Sequence, residues 1–132
     1  MKRLLLALLV VLALAVTAQA QQWTTANQVT VSWDVVTVQS GTVSYKLYSR
    51  LASGGPEVFI STVTALSAVV TFQAEGRYFL GVRSVRNVDG VELEASTISW
   101  SDNPAVCQGG VTFGVQYYTL PAPVGGIRIG GQ

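Results

Sequence analysis

The chain has 132 residues, of which 49% are hydrophobic and 11% charged, and it contains one cysteine and no histidine. This composition excludes an internal disulfide, a Ser-His-Asp or Cys-His catalytic site and a cysteine–histidine zinc cluster. A formal net charge of +1 offers no strongly basic surface for nucleic acid. We therefore predict no catalytic residue, no cofactor and no metal ligand, and expect that the protein is not an enzyme.

The first segment has the features of a secretory signal. Two basic residues precede the apolar run 4–16, and Ala18 and Ala20 suit the small-residue positions of a signal peptidase site. The run would span about 20 Å as a helix, which is less than the roughly 30 Å hydrocarbon core of a bilayer. We expect residues 1–20 to be a cleaved signal peptide, so that the mature chain is secreted or periplasmic without stable membrane insertion.

Cleavage after Ala20 changes the charge. It removes two basic residues, so that six basic and seven acidic residues remain and the net charge becomes −1. The apparent basic character of the chain therefore belongs to the signal segment.

The rest of the chain alternates apolar and polar residues in short segments, a pattern that predicts β-strands. Val29, Val31 and Trp33 share one face of the first such strand, and the Asp89-Gly90 pair predicts a hairpin turn. Short strands separated by turn residues are typical of a β-sandwich. The predicted strands are 28–34, 43–48, 58–61, 68–72, 78–85 and 96–100.

An ordered set of motifs within 29–101 resembles the fibronectin type III domain. The set consists of the Val-x-Val-x-Trp strand ending at Trp33, the Tyr45-Lys46-Leu47-Tyr48 strand, Phe72 six residues before Tyr78, and the strand from Tyr78 to Asn87. The resemblance implies an immunoglobulin-like β-sandwich of about seven strands. It also implies that Phe72 and Tyr78 form a tyrosine corner, in which the tyrosine hydroxyl bonds to nearby backbone. The expected core residues are Trp33, Tyr45, Phe72, Tyr78 and Val82.

Two departures from the family concern the ends of the domain. No clear first strand precedes Val29, and the residues after Pro104 do not match the family. Residues 111–118 alternate like an additional strand, and the later Pro-x-Pro segment 121–129, with its alternating isoleucines, resembles a first strand of the same family. We divide the chain into a signal peptide (1–20), a fibronectin type III-like domain (21–103) and a strand-like C-terminal extension rich in proline and glycine (104–132).

Three interpretations of this extension remain open. It is a vestige of a following module, a strand that folds back onto its own domain, or a strand that adds to the edge of another chain. Because proteins usually cover exposed strand edges, we favour the fold-back.

These features favour a secreted, non-catalytic binding or adhesion module that makes protein–protein contacts through loops or an edge strand. One alternative is a structural or self-associating extracellular subunit that uses the tail or Cys107. Another is an accessory carbohydrate-binding domain that uses exposed aromatic residues such as Trp23. The expected partner is an extracellular or cell-surface protein, or a second copy of the chain, and not nucleic acid.

The candidate binding residues lie in loops and in the extension. In the resemblance, the loops 36–42 and 87–92 occupy one end of the sandwich, and loops on a rigid scaffold are good recognition sites. Glu92 and Glu94 are the only closely spaced acidic pair, and we interpret them as solvated charge rather than as the paired carboxylates of a glycosidase. The candidate binding residues are Arg86, Asn87, Asp89, Tyr117 and Tyr118.

Overall fold

The structure, a computed structural model, describes residues 21–130, in which nine β-strands and a single turn of 3₁₀ helix form. The predicted signal peptide, 1–20, lies outside the described residues. The prediction of an all-β fold is confirmed, and no helix within 21–130 is long and apolar enough to cross a membrane. The elements are β1 (Gln22–Thr25), β2 (Gln28–Ser32), β3 (Thr42–Leu51), β4 (Val58–Val63), β5 (Ser67–Thr71), β6 (Gly76–Val88), β7 (Val91–Ala95), β8 (Ser99–Trp100), the 3₁₀ turn (Gln108–Gly110) and β9 (Phe113–Tyr117).

The strands form a large and a small sheet. In the large sheet the order is β1-β9-β6-β3-β4, and β6 is its central strand. One edge of β6 pairs with β3 along ten residues, while the other edge pairs in turn with β9, β8 and β7. The small sheet contains β2 and β5, which pair antiparallel. Among these pairings only that of β1 with β9 is parallel.

The hydrophobic core joins the inner faces of the two sheets. The alternating pattern of β2 and β5 turns Val31 and Val70 inward, and the large sheet contributes Leu47, Leu80 and Val115. Trp33, Tyr78 and Val82 are partly buried against this cluster, while Tyr45 and Phe72 are buried. All of the residues that the sequence assigns to the core therefore lie in it or pack against it.

The corner between β5 and β6 is held by an aromatic pair. The rings of Phe72 and Tyr78 stack with their centroids 4.6 Å apart. The Tyr78 hydroxyl donates a hydrogen bond of 2.6 Å to the carbonyl oxygen of Ala74, four residues earlier. The corner thus has both the ring packing and the hydroxyl–backbone bond that the resemblance implies for Phe72 and Tyr78.

β9 lies inside the large sheet, although the sequence-based division places it in the extension. It pairs with β6 on one side and β1 on the other, and Val115 is only 1% exposed. The residues that follow, 118–130, form no strand, and the alternating segment at Ile127 and Ile129 is exposed. The additional strand at 113–117 is thus part of the folded domain, whereas the later isoleucine segment does not pair with it.

A short first strand exists where the sequence shows no clear one. Trp23 of β1 lies directly against Gly114 of β9, and a Cβ atom on Gly114 would stand 2.5 Å from Cζ3 of Trp23. Glycine at 114 is therefore what lets the indole cross the neighbouring strand. Because of this contact β1 joins the large sheet next to β9 and not the small sheet next to β2.

Candidate binding site

The outer edge of β2 is not paired with any strand of the described chain. The backbone N–H of Trp33 donates to the carbonyl oxygen of Leu66, and that of Phe72 donates to the carbonyl oxygen of Asn27. Because hydrogen-bonded positions recur at every second residue, the odd-numbered residues of β2 are the ones bonded to β5. In an antiparallel ladder the intervening residues direct their N–H and C=O groups to the opposite side. The backbone groups of Thr30 and Ser32 therefore point outward. We call this side of β2, from Thr30 to Asp34, the β2 edge.

A cleft of about 460 Å³ lies between the β2 edge and the segment 99–113, which runs from β8 to the start of β9. Its volume is in the range of pockets that bind ligands. Asp34 is the only charged residue in its lining. The cleft thus combines a hydrophobic floor with a row of unpaired backbone donors and acceptors. Its apolar lining includes Val31, Leu80, Val82, Val106, Val111 and Phe113.

Two further residues of the cleft carry polar groups. Within residues 21–130 the buried Nε1 of Trp33 has no hydrogen-bond partner, although its ring packs 5.4 Å from that of Tyr45. The Cys107 thiol donates to the carbonyl oxygen of Ser101 at 3.3 Å. Burial, together with the negative charge of Asp102, raises the pKa of the Cys107 thiol. Since the thiolate is the reactive form, Cys107 is a poor nucleophile at neutral pH.

Arg86 and Asn87, two of the candidate binding residues, are engaged within the domain. The Arg86 guanidinium donates to Ser40 Oγ at 2.9 Å and forms an ion pair with Glu94 at 3.3 Å. The Asn87 amide donates to Ser44 Oγ at 3.0 Å. These contacts tie the end of β6 to the loop before β3, to β3 itself and to β7. Both side chains therefore have a structural role that the sequence does not show.

The other three candidates are split between the two ends of β6. Asp89 is exposed at the tip of the β6–β7 hairpin, where its φ of 50° and the 78° of Gly90 suit a two-residue turn. Tyr117 is half-buried and pairs with Gly76, at the opposite end of β6, and Tyr118 follows it exposed. At about 3.3 Å per residue, the eleven steps along β6 from Gly76 to Asn87 separate these groups by roughly 36 Å. The structure does not bring the predicted loop and tail residues into one site.

The aromatic residues on the outer face of the large sheet lie close to arginine side chains. The Arg77 guanidinium stands 4.6 Å from the ring centre of Trp23, and that of Arg50 stands 4.3 Å from the ring centre of Trp100. Trp23 is also packed on Gly114. Its ring is therefore held between backbone and guanidinium, which leaves little free ring surface for a sugar.

The acidic pair on β7 is also accounted for by ion pairs. Glu92 binds Lys46 at 2.9 Å, and Glu94 binds Arg86 at 3.3 Å. Both carboxylates are exposed and each faces a different cation. This geometry agrees with our interpretation of Glu92 and Glu94 as solvated surface charge.

The β2 edge and its cleft are the site that sequence reasoning missed. Alternation predicts that Thr30 and Ser32 face solvent, but it does not say which strand lies beside them. No protein-family model and no curated protein matches the chain. The assignment of a function therefore depends on the geometry of this site.

Proposed function

We propose that the protein is a secreted, non-catalytic binding module of the fibronectin type III type that captures an extended peptide segment along the β2 edge. The observation that carries the proposal is the row of backbone groups at Thr30 and Ser32 that no described strand pairs, beside a cleft with apolar side chains on its floor. Peptides that bind by strand addition gain affinity from main-chain hydrogen bonds and specificity from side-chain pockets. The cleft and the edge offer both.

The choice of fold type is supported by three features together. The corner contains the stacked pair Phe72 and Tyr78 with its hydroxyl–carbonyl bond to Ala74. The sandwich is all-β with its core between two sheets, and β6 pairs with β3 at its centre. A corner of this kind is a hallmark of immunoglobulin-like sandwiches.

Export supports the same proposal. The sequence of residues 1–20 has the basic start, apolar run and small residues of a signal peptide. The partner is then an extracellular or cell-surface protein with an extended segment. A mature chain of net charge −1 has no electrostatic feature that would favour nucleic acid.

A peptide-selection experiment tests the proposal. A phage-displayed library of random twelve-residue peptides would be selected against residues 21–132, and the enriched peptides would be measured by calorimetry. We expect apolar residues at every second position in the enriched peptides, because a strand in this cleft turns alternate side chains inward.

Two proline variants provide the matched comparison. Thr30 and Val69 face each other on one rung of the β2–β5 ladder, and both direct their N–H groups away from it. Thr30→Pro removes a donor from the β2 edge, and Val69→Pro removes one from the opposite edge of the small sheet. Neither breaks a β2–β5 hydrogen bond. The enriched peptides should lose binding to the first variant and keep it for the second.

Two results would refute the proposal. One is equal binding of the enriched peptides to both proline variants, and the other is a selection that enriches no peptide. If Thr30→Pro does not fold, Val106→Asp replaces it, because it puts a charge into the lining of the cleft at a side chain that is already about half exposed.

A further inference from the structure

We propose that the β2 edge takes up the tail segment 120–130 of a second copy of the chain, so that molecules join head to tail. The inference rests on the proposed function, since it names the occupant of the same edge and cleft. It draws on the composition of the tail, the charges of the two surfaces and the direction in which the tail leaves the domain.

The tail presents an unusual amount of apolar surface. Its four large apolar side chains do not pack against the hydrophobic core of their own domain. Side chains of this size tend to be buried where a partner surface exists. The exposed fractions are 93% for Leu120, 82% for Val124, 86% for Ile127 and 77% for Ile129.

The spacing of the tail fits a strand with one buried face. Ile127 and Ile129 lie two residues apart, so an extended backbone would turn both toward the cleft and Arg128 outward. Gly126, just before them, has a φ of 63° in the isolated chain. Glycine adopts extended backbone as readily, so the segment can straighten when it pairs.

The charges of the two surfaces are complementary. Arg128 is the only charged residue in the segment 118–130, and Asp34 is the only charged residue lining the cleft. By the same alternation, the side chain of Asp34 lies on the solvent-facing face of β2, together with those of Thr30 and Ser32. A strand that buried its two isoleucines would therefore present Arg128 on the side where Asp34 stands.

The path of the tail favours a second copy over the chain's own cleft. β9 ends at Tyr117 beside Gly76, and Thr119 is bound there by the Glu75 carboxylate. β2 begins at this end of the sandwich, because Gln28 pairs with Thr71 just before the corner. A tail that continues from this end without reversing its direction runs along its own β2 as a parallel strand. A second copy can enter antiparallel, which is the direction of the β2–β5 pairing and the slightly more stable one.

Sedimentation velocity of residues 21–132 over a concentration series tests this assembly. We expect oligomers that grow with concentration in the wild type. Ile127→Asp combined with Ile129→Asp should weaken association by about 100-fold or more, since two buried isoleucines are replaced by charges. Val91→Asp combined with Leu93→Asp on β7 is the matched control, because it makes two changes of the same kind at exposed side chains outside both the tail and the cleft, and this variant should still assemble.

Mixing two variants supplies a sharper test. The double aspartate variant keeps its edge but has no functional tail, and Thr30→Pro keeps its tail but has no functional edge. Each should be monomeric alone, and their mixture should give a one-to-one heterodimer and nothing larger. Val106→Asp serves as the edge variant if Thr30→Pro does not fold.

The proposed ion pair between Arg128 of one copy and Asp34 of the other should have a smaller effect. Arg128→Glu and Asp34→Lys should each weaken association by about two- to five-fold. Both changes in one chain should restore it, because the charges are then exchanged rather than removed.

Distinct results overturn the inference and the function on which it rests. A wild type that stays monomeric at every concentration overturns tail exchange. If selected peptides still bind the β2 edge of that monomer, the peptide-binding function stands without tail exchange. Oligomers that form equally well with Thr30→Pro and with Val106→Asp refute the edge as the acceptor. Finally, a synthetic peptide of residues 119–130 should bind the double aspartate variant, and failure to bind it would also contradict the exchange.

Discussion

Replacement of Val115 by alanine tests whether β9 is an integral strand of the domain. The Val115 side chain is 1% exposed and packs in the cluster that joins the two sheets. Removing two methyl groups forfeits roughly 1.6 kcal/mol of transfer free energy, at about 0.8 kcal/mol for each buried carbon. A remaining cavity of roughly 50 Å³ adds about 1.2 kcal/mol. We therefore expect the free energy of unfolding to fall by about 2.5–3 kcal/mol.

Urea unfolding followed by tryptophan fluorescence measures this change. For a domain of this size the loss corresponds to a melting temperature lower by roughly 10–13 °C, at about 2.1 cal/mol/K of unfolding entropy per residue. Val124→Ala is the matched control, because it makes the same change at a side chain that is 82% exposed. The control should stay within about 0.5 kcal/mol of the wild type. A Val115→Ala variant as stable as that control would show that β9 does not pack in the core.

Three further outcomes follow from local contacts. Tyr78→Phe keeps the ring at the corner but removes the 2.6 Å hydrogen bond to Ala74, so the free energy of unfolding should fall by about 0.5–1.5 kcal/mol in the same urea assay; an unchanged value would contradict the bond. Hydrogen bonds from the Thr119 hydroxyl and amide lower the pKa of Glu75, so their stabilisation should be present above the ordinary pKa of a glutamate and vanish as the pH falls through the lowered one. The Thr119 amide proton shift in NMR should report this titration, and a midpoint at or above the ordinary value would refute it. Burial raises the pKa of the Cys107 thiol, so iodoacetamide at pH 8 should modify it more slowly than free cysteine and faster in urea; equal rates in buffer and urea would refute the shielding.

Strands with one buried face can be predicted from the sequence. Val29 and Val31 of β2, and Trp33 just after it, alternate with polar residues, and the structure packs that face against the core. The corner is expected from the resemblance to the fibronectin type III domain, because Phe72 and Tyr78 stand at the positions of that family's tyrosine corner. Where the burial of one face requires alternating apolar residues, that alternation in the sequence predicts the strand and its buried face.

Strands without a buried face give no such signal. All five residues of β7 are exposed, so its alternation of apolar and acidic residues does not distinguish a strand from a solvated hairpin. β1 has only four residues, and its position depends on the contact between Trp23 and Gly114, which lie far apart in the sequence. The sequence therefore showed no clear first strand and gave no reason to place β1 beside β9.

The candidate site shows the same limit. The five residues chosen from the sequence have charged, amide or aromatic side chains in the predicted loops and tail. They were chosen because a sequence states the chemistry of each side chain directly. The site that the structure reveals is made of backbone groups at Thr30 and Ser32 and of the space beside them. Whether a backbone group is paired depends on which strand lies next to it.

By itself, then, the sequence determined an all-β domain, the inward faces of its main strands and an apolar, alternating tail. These follow from local periodicity and from short-range spacing, which each segment carries alone. The tertiary structure alone decided that β9 completes the large sheet and that β1 pairs with it. It also decided that no strand within 21–130 pairs with the edge of β2 beside the cleft. Such outcomes depend on contacts between residues distant in sequence, above all the indole of Trp23 lying on Gly114, and no single segment encodes them.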